Sequence, residues 1–246
     1  ALAARGDLVG AEVALERALA RSPGSSTSAW LGRAATSVEL AEVRYGTGDL
    51  EGAQRWAELA IDAAGAAQAE PASSAPPSIP PHAPSSPSTM AAQLRIAGRN
   101  VVGKVLLARS AWADAEVHFA ADAFEAACAR DGMAELRAQT NRAIALLSSG
   151  RLEEARQMLL AVHDAGECRG ELRAVTFALA NLATLATLRH EYADALSLSE
   201  RAFHAYRRLG ERVRLAPLAT NLAELRLRLG LVDEAEHGLR FGMKAC

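Results

Sequence analysis

Aromatic residues are scarce in this sequence, at 4 % of 246 residues. Alanine and leucine supply the apolar half of the composition instead, and both are strong helix formers whose packing lets helices approach closely. Cysteine is nearly absent. Cys128, Cys168 and Cys246 are scattered, odd in number, and form neither a CxxC pair nor a zinc spacing, so a disulfide framework and a zinc site are both unsupported. Idle or buried thiols in a reducing cytoplasm are the expectation. A secretory signal and an apolar run long enough to span a bilayer are also missing. Charge of one sign is not in excess: the formal net charge is −2, which marks the surface for neither nucleic acid nor anionic membrane. The chain opens at Ala1 and closes at Cys246, each within an expected helix, and a piece of a longer polypeptide is the expectation.

What the sequence does have is a repeat. A turn residue, a short stretch and an alanine recur as GDLVGA (Gly6–Ala11), GDLEGA (Gly48–Ala53), GRLEEA (Gly150–Ala155) and GLVDEA (Gly230–Ala235). SAWADA (Ser110–Ala115) and HEYADA (His190–Ala195) are degenerate copies. The alanines fall at 11, 53, 115, 155, 195 and 235, at intervals of 42, 62, 40, 40 and 40. Three equal intervals in succession define a unit of 40 residues.

Each unit reads as two helices flanking the turn. Met133–Ser149 and Glu171–Arg189 precede it, and Leu152–Ala165 and Tyr192–Leu209 follow it. Small and apolar residues recur at steps of three and four, as at Ala143, Leu146 and Leu147, then Ala155, Met158, Leu159 and Val162. Gly132, Gly166 and Gly210 are expected to end helices between units, in the left-handed conformation such ends favour. Asp131 is expected to cap the helix after it. Carboxylates such as Glu153, Glu154, Asp233 and Glu234 fall in the first turn of second helices, where they complement the helix dipole. The predicted fold is all-α, about five and a half antiparallel hairpins stacked as a right-handed α-solenoid, each burying its apolar face against its neighbours.

The turn glycine, the alanine five residues later and a small residue seven beyond that (Ala18 after Ala11, Ala60 after Ala53, Ala202 after Ala195) resemble the tetratricopeptide repeat. The usual period of that family is about 34 residues. The longer unit here is similar to the repeats of kinesin light chains, of peptide-sensing bacterial regulators, and of the helical sensor domain of the maltose-regulon activator and related large regulators. The resemblance covers nearly the whole chain outside residues 66–89. The expected organisation is hairpins over 1–65 with the first one truncated, an insert at 66–89, and four hairpins over 90–246 that continue the same solenoid.

Seven of the nine prolines fall in the insert, at 71, 76, 77, 80, 81, 84 and 87, among six serines. That composition forbids helix and offers no core, so a surface insertion between repeats is expected. PxxP spacings at Pro77–Pro80, Pro81–Pro84 and Pro84–Pro87 also fit a polyproline ligand, and a third option is that the segment folds into the solenoid's own groove.

Catalytic and cofactor motifs are lacking in the sequence. GRNVVGK at Gly98–Lys104 begins like a phosphate-binding loop. Val105 stands where Ser or Thr must reach magnesium, and the segment lies inside an amphipathic stretch, Met90–Arg109. The six histidines, His82, His118, His163, His190, His204 and His237, form no HExxH or close metal pair. No GxSxG elbow occurs, and no cofactor is implied.

One polar pattern remains. Asn141, Asn181 and Asn221 are spaced by 40, each 14 residues before its repeat alanine, on the first helices. Asn100 joins them one residue out of register. Asparagine is a poor helix-interior residue, so its recurrence calls for a reason. Either each amide offers a donor and an acceptor to a bound peptide backbone, as the family resemblance implies for this place, or it holds adjacent hairpins together. Arg99, Lys104, Arg137, Thr184, Glu224 and Arg228 fall on the same predicted faces, and the basic members suit a carboxylate-bearing ligand. Phe177 and Pro217 stand where Arg137 stands in its repeat, so the charge does not repeat. Pro217 lies either in the first turn of Glu211–Leu229 or inside it, where it would kink the helix.

The resemblance implies a non-catalytic protein- or peptide-binding scaffold, the sensor part of a larger cytoplasmic regulator, with its ligand in the concave groove. The candidate contacts are Asn100, Lys104, Arg137, Asn141, Asn181, Thr184, Asn221, Glu224 and Arg228. No direct nucleic-acid partner and no membrane partner are expected. The alternatives are a homodimer or larger self-assembly through exposed solenoid ends, and an enzyme on a helical fold.

Overall fold

The computed structural model describes residues 8–20, 26–69 and 86–245, and all regular elements among them are α-helices. The termini Ala1 and Cys246, the start of the first repeat motif at Gly6, and the part of the proline-rich insert from 70 to 85 lie outside the described residues. The helices are α1 (Leu8–Ala20), α2 (Thr27–Gly46), α3 (Leu50–Ala69), α4 (Pro87–Ala108), α5 (Trp112–Cys128), α6 (Gly132–Ser148), α7 (Leu152–Arg169), α8 (Leu172–Leu188), α9 (Tyr192–Leu209), α10 (Arg212–Arg228) and α11 (Val232–Ala245). After α1 they pair as five hairpins, with the repeat turns at Gly48, Ser110, Gly150, His190 and Gly230 inside each pair. No helix among the described residues is long and apolar enough to cross a membrane.

The turn position has one physical requirement, a left-handed backbone. Gly48, Gly150 and Gly230 meet it at φ of 84°, 80° and 76°. The degenerate copies meet it without glycine: Ser110 has φ 60° and His190 φ 62°. The turn thereby returns two bonds to the helix end, as where Gly150 N–H donates to Leu147 O at 3.1 Å and Arg151 N–H to Leu146 O at 2.9 Å. Asp131 caps α6 as expected, accepting from Ala134 N–H at 3.0 Å. Between hairpins the glycine assignments need correction. Gly210 is left-handed at φ 71°, but Gly132 opens α6 and Gly166 lies buried inside α7. Gly170 (φ 71°) and Arg130 (φ 56°) hold the left-handed positions instead. At Gly166 the reason is packing: a Cβ there would meet Val175 Cγ2 at 3.0 Å.

The repeat alanines mark where three helices meet. Ala53 packs with Ala41 of its own first helix and Val105 of the next. Ala155 packs with Leu146 and Leu185, and Ala195 with Ala186 and Leu225, in the same relation. Ala115 and Ala235 are buried too. A larger side chain would push the second helix off this junction.

The chain divides into two compact units, Ala1–Ala138 and Gln139–Cys246, with the boundary inside α6. In the first, α3 runs through to Ala69 and α4 starts at Pro87, so helix extends into both ends of the proline-rich segment. Ala67, near its start, and Ala91, just past its end, share a cluster with Leu31 of α2. The two glycines of GRNVVGK lie mid-α4 and are buried, so that segment is a packing surface. A Cβ at Gly98 would meet the Ala57 carbonyl oxygen at 3.0 Å, and one at Gly103 would meet the Phe119 ring at 2.4 Å. In the second unit, α8, α9 and α10 enclose the largest cluster, Val175, Leu179, Ala202, Phe203, Tyr206, Leu215, Leu218, Ala219 and Leu222.

Two stability predictions follow from the backbone. Ser110→Gly relieves a left-handed non-glycine residue and is expected to stabilise by about 0.5–1 kcal/mol, which a denaturant melt reads as a higher midpoint. Gly103→Ala drives a methyl into Phe119 and is expected to destabilise by roughly 1–3 kcal/mol in the same assay.

Candidate ligand-binding surface

The three asparagines occupy one position on α6, α8 and α10, and the residues four before and three and seven after share their face. On α6 that face reads Arg137, Asn141, Ile144 and Ser148. On α8 it reads Phe177, Asn181, Thr184 and Leu188, and on α10 Pro217, Asn221, Glu224 and Arg228. None of these is buried. Immediate neighbours such as Ala143, Leu182 and Leu222 turn the other way and join the core. A helix face with no fully buried residue recurs on the three helices, with Phe177 alone of the twelve packed against the cluster of Phe203 and Tyr206, and it is the stripe the periodicity pointed to.

The amides are not spent on holding hairpins together. Among the described residues Asn141 and Asn221 make no side-chain hydrogen bond, and Asn181 Nδ2 donates only to Phe177 O of its own helix, at 2.8 Å. Thr184 Oγ1 likewise donates to Ala180 O at 3.2 Å, leaving the oxygen's acceptor capacity open. Glu224 and Arg228 answer one another. Arg228 Nη2 and Nε donate to Glu224 Oε1 at 2.7 and 3.1 Å, and Nη1 donates to the Tyr192 hydroxyl at 3.2 Å. Arg137 is exposed and carries no ion pair among the described residues.

The contacts expected on α4 differ. Asn100 is 5 % exposed with its Nδ2 unpartnered, so a one-residue register difference, some 100° around a helix, has turned it inward. Lys104 is committed within the protein: Nζ lies 2.5 Å from Glu42 Oε2 and 4.7 Å from the Tyr45 ring centroid. Arg99 is likewise engaged. Its Nε donates to Asp122 Oδ1 at 2.6 Å, and Nη1 lies 3.6 Å from Glu125. Asp122 is buried, and burial pushes its carboxyl above the usual range while Arg99 and His118 pull it down. His118 Nε2 donates to the Arg99 carbonyl at 2.8 Å, completing a network that ties α5 to α4. This first-unit cluster is built for packing.

Pro217 lies inside α10, past its first turn, and is exposed. Its ring replaces an N–H that would have bonded the carbonyl of Val213, a residue on the solvent side of the helix. Phe177 is held edge-to-face by Tyr206, with ring centroids 5.7 Å apart. Over it stands Arg214 of the next first helix, 4.6 Å from the ring centroid. Position-by-position reading missed this: α8 lacks a cation of its own at the place of Arg137, and α10 lends it one. On the opposite side of α10 a cavity of about 260 Å³ is lined by Phe203, Leu222, His204, His237 and the ion pair Glu200–Arg226. Among the described residues no group of three or more His, Cys, Asp or Glu side chains is placed to hold a metal ion.

No family model matches the chain, and no curated protein matches it. Solved structures do. BtubC (BKLC) from P. vanneervenii superposes with a TM-score of 0.66 at 14 % identity, over 97 % of this chain and 90 % of that one. A Rap protein complexed with competence and sporulation factor gives 0.61 at 13 %, over 87 % and 64 %. Aspartyl phosphate phosphatase F from Bacillus subtilis gives 0.58 at 10 %, over 87 % and 60 %. At these identities the likeness is one of fold. The chain is an all-α solenoid of antiparallel helix hairpins, consistent with a tetratricopeptide-like repeat.

Proposed function

We propose that this chain is a recognition scaffold that binds an extended peptide, or an extended segment of a protein, across α6, α8 and α10. The observation that carries the reading is the set of three asparagines at one position of successive first helices, with no amide committed to another hairpin. Packed helices lie about 8–10 Å apart. An extended chain advances about 3.3 Å per residue, so one amide would meet every third ligand residue. Three amides then suit a ligand of about seven residues. Each amide matches a peptide unit, donor to acceptor and acceptor to donor. Such recognition reads backbone and leaves side-chain choice to the flanking Arg137, Thr184, Glu224 and Arg228. Asn100 and Lys104 fall out of the set.

One of the neighbours is a Rap protein in complex with a factor it binds, which supports the binding reading. On this reading the chain is the non-catalytic sensor or interaction region of a larger cytoplasmic regulator. Another neighbour is named a phosphatase. A catalytic reading of this chain would need a nucleophile and base within reach of one another on the stripe, which carries three amides, two hydroxyls, Arg137, the Glu224–Arg228 ion pair and apolar side chains.

The test is binding of a random heptapeptide library to the purified chain, beside the variant carrying Asn141→Ala, Asn181→Ala and Asn221→Ala. Retained peptides are expected to bind the variant at least about tenfold more weakly, with an unchanged thermal melt. Undiminished binding would move the site elsewhere.

Self-association is the second reading, and one observation favours it. Val117 and Phe124, two turns apart on α5, are 71 % and 74 % exposed, an apolar surface suited to another copy. Light scattering over a hundredfold range of concentration decides it. A constant monomer mass ends this reading, and a dimer that Phe124→Lys dissociates establishes it.

A further inference from the structure

The hairpins of the second unit repeat one packing scheme, and they depart from it together at one place. The position three residues after the repeat alanine is Met158 in α7 and Leu198 in α9, and both pack against the cluster of Ala143, Leu159 and Leu182. In α11 the same position is Gly238, which lines the cavity of about 260 Å³ between α9, α10 and α11. Two further departures line that cavity. Arg226 stands where α8 has Ala186 and α6 has Leu146, and Glu200 stands where α7 has Leu160. The three are fitted to one another. The guanidinium crosses Gly238, where an added Cβ would lie 2.6 Å from Arg226 Nη1, and Nη2 donates to Glu200 Oε1 at 2.8 Å. They face the space enclosed by three helices, so they are not the polar outer face that closes the end of a solenoid.

The cavity has an apolar base and a rim of nitrogen. Phe203, Ala219 and Leu222 are buried at the base. His204 of α9 and His237 of α11 are exposed at the rim with Arg207, and Arg226 forms one wall. Glu200 is the one carboxylate of the lining, and it is already held by Arg226. Arg226 has donors left over. Its Nε is buried without a partner, and Nη1 makes no hydrogen bond among the described residues. Close-packed proteins keep few voids, and water placed on this base finds no polar partner there. A cavity of roughly 150 Å³ lined by apolar side chains takes a benzene ring. The larger one here has room for a ring with a short polar arm, and the donors at its rim suit an anion at the end of that arm.

We propose that this cavity binds a free small aromatic carboxylate, with its ring on Phe203 and Leu222 and its carboxylate at the rim among Arg226, His204 and His237. Gly238 keeps the site open, and Glu200 holds the guanidinium across it. The site lies on the side of α10 away from Asn221. It does not rest on the peptide-binding reading, and either can fail without the other.

The probes are benzoate, phenylacetate and indole-3-acetate, each beside its neutral amide, titrated into the purified chain while NMR follows the His204 and His237 rings. At least one acid is expected to bind saturably and shift both rings, with its amide about tenfold weaker or more. Gly238→Leu combined with Arg226→Ala restores the pair that the preceding repeat has as Leu198 and Ala186, and it closes the cavity with apolar packing. This variant is expected to melt no lower than wild type and to lose binding by about tenfold or more. Arg226→Gln leaves the cavity open and is expected to bring acid and amide to similar affinity. A wild type that binds none of the acids, or a folded closed variant that binds them as tightly, overturns the site. Amides that bind wild type as well as the acids overturn the anionic ligand. Should the closed variant fail to fold, Arg226→Gln decides: an undiminished preference for the acid overturns the proposal, and its loss upholds it.

Discussion

The arrangement of this protein depends on a small side chain at one junction. In three of the hairpins the second helix meets its own first helix and the first helix of the next hairpin at a single alanine, at Ala41–Ala53–Val105, Leu146–Ala155–Leu185 and Ala186–Ala195–Leu225. A residue with no side-chain rotamers to lose and little bulk lets three helices converge there. The left-handed turn five residues earlier sets the approach of the second helix to that point. Because the junction fixes which side of each first helix is inward, it also fixes which side is left over. The proposed ligand stripe is that remainder, so one packing constraint would determine both the core and the surface.

Much of this was legible in the sequence because the junction is chemically monotonous. Alanine at equal intervals gave the hairpins, and helix ends were read to within one residue at α6, α8, α9 and α10. What misled was glycine. Gly166 is present because Val175 crowds it, and Gly98 and Gly103 because another helix does, whereas the left-handed positions at Ser110, Arg130 and His190 carry no glycine. Composition cannot separate a glycine needed for φ from one needed for space; that distinction is made by a neighbour distant in sequence.

The candidate site divides along the same line. The three asparagines were visible because their spacing repeats the packing spacing. The fates of the charges were not, since they are decided by partners in other helices: Lys104 by Glu42, Arg99 by Asp122, Phe177 by Arg214. Asn100 shows how steep the register dependence is, since one residue separates a surface amide from a buried one. Phe177 and Pro217 break the charge pattern in the linear sequence, yet in space a guanidinium from α10 stands over Phe177, so the cation there is supplied by the neighbouring repeat.

The central claim is that the asparagine-bearing faces of α6, α8 and α10 are one ligand surface that reads a peptide backbone through side-chain amides. A crystal structure of the chain with a library-selected heptapeptide tests it most directly. The account predicts an extended peptide crossing the three helices, with Asn141, Asn181 and Asn221 each paired to a ligand peptide unit about three residues from the next. A peptide bound along a single helix, or in the cavity on the far side of α10 beside His204 and His237, would contradict it.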